Sequence, residues 1–381
     1  MSGPLSGFQI IELAGLGPAP FCGMVLADLG AEVVRVDRTT RTSEAATPPV
    51  VHDVLNRGKR SIGVNLKDPA GVEVVLDLVA EADGLIEGFR PGVTERLGLG
   101  PAPCLARNQK LVYGRMTGWG QDGPMSGMAG HDIDYIAISG VLGSVGYTDG
   151  PVPPLNLVGD FGGGGMLLTV GMLAAILRAR SSGEGQVVDA AMVDGAALLM
   201  ASHHGFVADG WWNGNQRESN LLDGGAPFYT TYRTSDNRFV AVGALEPQFF
   251  GELLEKLGLV ASELPPQLDR KGWPELREAF GDVFVTRSRE EWSRVFEGSD
   301  ACVAPVLSMS ESAEHSHLRA RSTFTIVDGV VQPSTAPRFS ATPAHIDAPP
   351  ASPGEHSEAI LVALGYTSNQ IGMLRDTGTV V

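Results

Sequence analysis

At 381 residues the chain exceeds the usual size of one domain, and 43% hydrophobic with 19% charged residues describe an ordinary globular enzyme with a large core. A formal charge of −16 argues against nucleic acid or an anionic membrane as a partner, so an anionic ligand would need a local exception to that balance. Three widely spaced cysteines (Cys22, Cys104, Cys302) fit neither a disulfide framework nor a zinc cluster and point to a reducing cytoplasm.

The start MSGPLSGFQIIELA lacks the basic-then-apolar pattern of a signal peptide. The longest apolar run, 166–177, is too short and too glycine-rich to cross a bilayer, and TGTVV is no peroxisomal address. Phe8–Leu13 reads as a buried strand, followed by the loop Gly15-Leu16-Gly17-Pro18 and a helix stopped by Gly30. Glu32–Val36 is a second strand ending in Asp37, and Ser61–Leu66 a third. Asp68 caps a helix with Pro69 at its first position, running to Ala82. Leu85–Glu87 and Leu111–Met116 are short strands. Strand alternating with helix predicts an α/β domain with a mostly parallel, doubly wound sheet.

Helices are predicted over Asp132–Leu142, Gly163–Ala179 and Ala191–Ala208, with Val187–Ala190 extended between the last two. The polar stretch Trp211–Glu218 reads as linker. Strands at Phe228–Arg233 and Phe239–Gly243 flank the hairpin turn Ser235-Asp236-Asn237. Helices at Gln248–Leu257, Pro274–Phe284 and Arg289–Phe296 and a strand at Cys302–Leu307 complete a smaller α+β domain. The tail after Phe324 is Pro-rich and extended, with short helices at Glu355–Leu364 and Ser368–Leu374. The domain plan is therefore a large domain over 1–205 and 325–381, a linker over 206–225 and a small domain over 226–324.

Five motifs carry chemistry. Gly15-Leu16-Gly17 with Asp37 some twenty residues on imitates a dinucleotide fingerprint, but Pro20 stands where the third glycine is needed. A doubly wound topology without the dinucleotide fits better. Residues 35–70 hold seven basic side chains (Arg35, Arg38, Arg41, Arg57, Lys59, Arg60, Lys67) against four acidic ones, and Arg90 and Arg96 follow. Arg forks suit phosphate oxygens, so a phosphorylated anion would explain the cluster; a solvated surface patch is the plainer alternative.

In Gly130-His131-Asp132-Ile133-Asp134-Tyr135, His131 stands at a helix start. The helix dipole disfavours imidazolium there, leaving a neutral base near pH 7. A surface histidine beside a capping Asp132 is the competing reading. Asn156-Leu157-Val158-Gly159-Asp160-Phe161 runs into four glycines, Gly162 to Gly165. The N–H groups of Gly162, Gly163 and Gly164 could hold a thioester oxygen as it becomes an enolate, with Asp160 as catalyst, cap or both. Glu246 follows a strand and precedes a helix; it caps, or it orients His131. His203 and His204 are adjacent in a helix, point apart and form no ligand pair, and no metal site is read.

Together these residues resemble family III CoA-transferases. The likeness rests on Pro4-Leu5-Ser6-Gly7, Val33-Val34-Arg35-Val36-Asp37-Arg38, Ile86-Glu87-Gly88-Phe89-Arg90-Pro91-Gly92, Gly118-Trp119-Gly120-Gln121, Gly185-Gln186-Val187-Val188-Asp189-Ala190-Ala191-Met192 and Ala226-Pro227-Phe228-Tyr229, and runs to about Phe339. His131 together with Asp160 resembles the racemase branch. That branch implies inversion of the α-carbon of a 2-methylacyl-CoA thioester, a step of fatty-acid metabolism, with coenzyme A as part of the substrate and no further cofactor. In the transferase branch the aspartate is an acyl-accepting nucleophile and no histidine stands opposite. A CoA-binding paralogue without turnover is a third possibility, disfavoured because both residues are present.

The resemblance implies CoA contacts at Arg38, Val64, Asn65, Leu66, Lys67, Gly88, Phe89, Arg90, Arg96, Gly130, Asp132, Ile133, Asp134 and Tyr135. It implies a discontinuous Rossmann-like large domain and an interlocked homodimer, in which Glu246 approaches the site from the small domain of the other subunit.

Overall fold

The computed structural model describes residues 3–39 and 52–381, so Arg41 of the basic run lies outside the described residues. The chain divides into two compact units. One comprises Met1–Ser139, Leu155–Leu199 and His317–Val381, the other Gly140–Pro154 and Met200–Ser316. The second unit thus begins earlier than the sequence plan had it, takes in 140–154, and includes the stretch read as linker. That stretch is folded on itself. Asn220 Nδ2 donates to Asn213 O, Gln216 O and Asp223 Oδ2, and Arg277 Nη2 donates to Gly224 O and Gly225 O.

The first unit is built on six strands: β1 (Gln9–Leu13), β2 (Glu32–Asp37), β3 (Arg60–Gly63), β4 (Gly84–Glu87), β5 (Val112–Thr117) and β6 (Gln186–Ala191), in the order β3-β2-β1-β4-β5-β6. Every neighbouring pair is parallel. Parallel strands are covered on both faces, which is why β1, β4 and β5 read as buried runs rather than alternating ones. One face packs Val74, Val75, Leu78 and Val79 of helix α2 (Pro69–Glu81). The other packs Cys22 and Leu26 of helix α1 (Pro18–Asp28) with Leu168, Met172 and Ile176. The charges inside the strands are matched. Lys59 Nζ lies 2.7 Å from Glu12 Oε2 with both side chains fully buried, and Arg35 Nε lies 2.7 Å from Asp37 Oδ2.

Three helix boundaries differ from the sequence expectation. The helix begun at Asp132 (α3, Asp132–Ile138) stops before Gly140, whose φ of 88° ends it. The helix expected over Ala191–Ala208 is two, Met192–Leu199 and Ala201–Ala208. The glycine run does not precede its helix but forms part of it. Leu157–Met166 is a π-helix that continues as the α-helix Leu167–Ser182. This combined helix is long and apolar enough to cross a membrane, which the shorter apolar run did not suggest. Its Leu168, Met172, Ala175, Ile176 and Ala179 nevertheless sit in the core beside the sheet, as in a soluble core helix.

The glycines permit backbone contact. A Cβ on Gly195 would fall 1.8 Å from Gly163 O, and one on Gly163 would fall 2.5 Å from Ala196 N. A Cβ on Gly165 would meet Pro18 O at 2.7 Å. The π-helix therefore meets the helix Met192–Leu199 on one side and α1 on another at close range, with backbone contact at Gly163–Gly195 and Gly165–Pro18.

The second unit carries an antiparallel sheet of β7 (Tyr229–Arg233), β8 (Phe239–Gly243) and β9 (Val303–Pro305), with β8 central. Helices Pro247–Leu257, Trp273–Phe284 and Arg289–Phe296 contribute Phe250, Trp273, Phe280, Phe284 and Trp292 to an aromatic core with Phe228 and Tyr232.

A test of the glycine contact is Gly195→Ala. Its methyl group has no space against Gly163 O, so urea unfolding is expected to show a loss of about 1–3 kcal/mol. Stability equal to that of the unaltered chain would show that the two helices separate at no cost.

Candidate active site

The strand order reverses between β1 and β4, and in doubly wound sheets the loops leaving the carboxyl ends diverge at such a point and leave a crevice. A cleft of about 430 Å³ opens there. Leu16–Pro18 after β1, Gly88–Pro91 after β4 and Met116–Trp119 at the end of β5 line it, and His131, Asn156 and Asp160 complete the wall. The Gly15–Gly17 loop that imitates a nucleotide fingerprint is thus a wall of this cleft. Leu16 is exposed, and a Cβ on Gly17 would lie 3.5 Å from Asp160 Oδ2.

His131 sits at the N-cap of α3 in an extended conformation, and its N–H donates to Asp134 Oδ2 at 2.9 Å. Tyr135, one turn on, donates from its hydroxyl to Gly130 O at 2.5 Å and meets Trp119 edge-on with centroids 4.7 Å apart. A Cβ on Gly118 would fall 2.1 Å from the Tyr135 ring, so the end of β5 and the His131 turn fit only with glycine there.

Asp160 is half-buried in the first turns of the π-helix. Its N–H donates to Asp132 Oδ1 at 2.7 Å, and Asn156 Nδ2 donates to its Oδ2 at 2.9 Å. Burial pushes the Asp160 carboxyl above the usual aspartate range. The Asp132 carboxylate pushes the same way, while the Asn156 amide and His131 oppose the rise. Asp132 does not cap α3, since His131 holds that position; it ties the start of α3 to the start of the π-helix.

The structure brings His131, Asp160, Gly88, Phe89, Arg90, Gly130 and Tyr135 to one cleft. Asp132 is buried just behind it. Ile133 and Asp134 are exposed on the first turn of α3. Arg38, Val64–Lys67 and Arg96 lie outside the cleft, but Arg38 and Val64–Lys67 directly follow β2 and β3 and so share its carboxyl edge. Glu246 belongs to the second unit. It is exposed at the N-cap of Pro247–Leu257, and its side chain makes no capping bond.

One expectation is corrected. Gly162, Gly163 and Gly164 do not offer free N–H groups at a helix start. They lie inside the π-helix, where each N–H is given to the carbonyl five residues back, and their missing side chains serve close packing.

The basic cluster splits in two. Arg35, Arg57, Lys59 and Arg60 pair with Asp37, Asp28, Glu12 and Glu32. Arg38, Lys67, Arg90 and Arg96 are exposed and form no ion pair among the described residues. The second set is the one available to an anion. Asn156 and Met192 also line the cleft without having been assigned a role in the sequence. The four-residue spacing of Asn156 and Asp160 was a legible signal, since it places both on one face of a helix.

His131 and Asp160 thus share a cleft at the switch point of a parallel sheet, with exposed cations that form no ion pair among the described residues on the same edge. The chain belongs to CoA-transferase family III, whose family model matches residues 5–357. It is 48% identical over 371 residues to mouse (Mus musculus) alpha-methylacyl-CoA racemase, spanning 96% of this chain and 95% of that protein. Identity to the human (Homo sapiens) alpha-methylacyl-CoA racemase is 45% over 376 residues, covering 97% and 96%. The solved structure of a CAIB/BAIF family protein from Brucella suis matches with a TM-score of 0.81 at 25% identity, over 96% of this chain and 100% of that one. The mixed α/β fold with a parallel central sheet is therefore shared.

Glu87 supports the cleft from beneath. Fully buried at the end of β4, it accepts the Phe89 N–H at 2.7 Å and Arg115 Nε at 3.0 Å. Burial pushes its carboxyl up to about 7. A carboxyl raised on folding stabilises the fold fully below its unfolded range, and that contribution is lost as pH rises through about 7. Glu87→Gln is therefore expected to flatten the decline in stability between about pH 4.5 and 7.5, a difference of roughly 3 kcal/mol. Urea unfolding across that range checks this; parallel pH profiles for the two proteins would contradict it.

Proposed function

We propose that the chain acts as an α-methylacyl-CoA racemase, inverting the carbon beside the thioester of a 2-methylacyl-CoA. The observation that carries this reading is the placement of His131 and Asp160 on one cleft, each at the start of its own helix. Inversion by 1,1-proton transfer requires two proton-handling groups on opposite faces of one planar enolate. His131 takes the α-proton from one face of the substrate, and protonated Asp160 returns a proton to the other. In the reverse direction the carboxylate is the base and the imidazolium the acid. The raised Asp160 carboxyl supports this role, because an acid near its ordinary range would be almost wholly ionised at neutral pH.

The enolate oxygen needs hydrogen-bond donors. With Gly162–Gly164 engaged in the π-helix, the first-turn N–H groups of Asp132 and Ile133 suit it better. They lie beside His131 and have no intrahelical acceptor. Asn156 steadies the Asp160 carboxyl through its amide. Arg38, Val64, Asn65, Leu66, Lys67, Gly88, Phe89, Arg90, Arg96 and Gly130–Tyr135 form the coenzyme A site in this reading, the four unpaired cations meeting its phosphates. Leu16, Met116 and Met192 give the acyl group an apolar, adaptable wall.

The working assembly is an interlocked homodimer, in which Glu246 of one subunit orients His131 of the other. The helix Ala201–Ala208 buries none of its residues, and Val170, Leu177, Leu198 and Leu199 are exposed. A second copy would cover such apolar surface. The unpaired cysteines suit a reducing cytoplasm.

The test is deuterium wash-in. A single epimer of 2-methylacyl-CoA, incubated with the protein in heavy water without an acceptor acid, is expected to gain one α-deuterium and converge on both epimers. His131→Ala and Asp160→Asn should each lower the rate about 10²–10⁴-fold. Absence of α-exchange, together with CoA transfer once a free acid is added, would replace this reading with a transferase that uses Asp160 as nucleophile.

A further inference from the structure

The segment that follows the helix Ser368–Asp376 turns back at Gly378, whose φ is 71°, and runs along the stretch after β3. Val64 and Val380 form an antiparallel bridge. The Asn65 N–H donates to Thr379 O at 2.8 Å, and the Val381 N–H donates to Gly63 O at 3.1 Å. Thr379 Oγ1 makes a short bond to Asp68 Oδ2, the carboxylate that caps α2, and lies 2.8 Å from Thr377 Oγ1. Thr379 and Val380 are each 1% exposed, and Val380 joins the core with Ile62, Val64 and Leu361. A Cβ on Gly63 would fall 2.4 Å from Val381 Cγ2, so the fit is close.

The location gives this contact its meaning. β3 is the outermost strand of the sheet, and among the described residues the 377–381 segment is what pairs with the turn leaving it at Val64–Lys67. Asn65 Oδ1 accepts the Lys67 N–H at 3.1 Å, so holding Asn65 also holds the backbone that carries Lys67. Lys67 is exposed and forms no ion pair among the described residues; Arg38, at the end of β2, is in the same condition. Strands lie about 4.8 Å apart, which places this edge about 10 Å from β1 and the cleft. That separation suits the phosphate-bearing end of a long thioester ligand rather than its reacting end.

We propose that the 377–381 segment belongs to the coenzyme subsite, with Thr379 as a positioning residue. It fixes the Val64–Lys67 turn so that Lys67 meets the phosphate and adenosine end of coenzyme A. This inference rests on the acyl-CoA reading above. An unsupported turn would be ordered only on binding, and the ordering would be lost from the affinity. The segment therefore contributes to recognition of the phosphate end and nothing to chemistry at the α-carbon.

The experiment compares Thr379→Val, Thr379→Ser and removal of residues 378–381 with the unaltered chain. Calorimetry measures Kd for free coenzyme A and for pantetheine, which lacks the phosphates and adenosine. Deuterium exchange gives KM and kcat for the acyl-CoA and the matching acyl-pantetheine. Thr379→Val should weaken coenzyme A and raise the acyl-CoA KM about three- to tenfold, leaving kcat and both pantetheine constants within twofold. Thr379→Ser should restore the original values, and removal of 378–381 should give the same pattern, larger.

Coenzyme A affinity unchanged in Thr379→Val and in the shortened chain overturns the proposal. So does an equal loss for coenzyme A and pantetheine, which is what general destabilisation would produce. A folded, unaltered chain that binds no coenzyme A overturns both this inference and the acyl-CoA reading. Binding without deuterium exchange overturns the racemase reading alone, and the Kd comparison still decides the role of Thr379.

Discussion

The hydrogen bond from the Asp160 N–H to the Asp132 carboxylate joins two segments that arrive from different parts of the chain. Asp132 opens α3, and Asp160 lies in the first turns of the π-helix. That bond helps set the spacing between His131, the residue before Asp132, and the Asp160 carboxyl. The bond also has an electrostatic effect, since a carboxylate close to Asp160 disfavours a second negative charge there. One buried side chain thus helps place the Asp160 carboxyl relative to His131 and adds to the rise that burial gives that carboxyl. Gly159 leaves room for it, because a Cβ there would fall 2.5 Å from Asp132 Oδ1.

A π-helix is uncommon, and here its cause is visible. Four glycines in succession are poor helix formers, since each loses more chain entropy on ordering than any other residue. They are held in place by what they allow on the outside: Gly163 against Gly195, Gly164 against Met192 and Pro18, and Gly165 against Phe21. Where the contact is backbone to backbone, as between Gly163 and Gly195, it fixes the helix axis more firmly than side chains, which can change rotamer. The wide first turns then carry Asn156 and Asp160 to the cleft while the following α-helix is anchored in the core.

How much of this was legible follows from the range of each signal. The parallel sheet was, because alternation of short buried strands with helices is a local pattern, and the five amino-terminal strands lie close to where the hydrophobic runs put them. His131 and Asp160 were legible as candidates only together: alone each reads as a surface histidine or a capping aspartate, and the resemblance to the racemase branch is what singled out the pair. The glycines were misread as a helix start offering free N–H groups for a reason of range: the helix begins earlier, at Leu157, and Gly195, some thirty residues on, presses against it. Helix ends at Ile138 and Leu199 were missed because apolar periodicity continues past them. The split of the basic cluster could not be read from the sequence, since the partners of Arg57, Lys59 and Arg60 are 28 to 47 residues distant.

That split explains how a chain of net charge −16 can offer a surface to an anion. At physiological salt, charges are screened over about 8 Å, so the overall charge matters less at the edge of the sheet than the few cations standing there. The paired cations work for the fold, and some of them place the unpaired ones. Asp37 accepts Arg35 Nε at 2.7 Å and the Ser61 hydroxyl at 2.5 Å, binding the end of β2 to the start of β3. Ser61 Oγ in turn accepts the Gly354 N–H at 2.8 Å, and Arg35 Nη2 donates to Ala351 O, so the tail is drawn into the same network. Neutralised charges thus bring two strand ends together, and the residues just beyond them, Arg38 and Lys67, are left with their charges facing outward. A surface that is attractive only where buried pairs have arranged it so discriminates by position, which net charge cannot do.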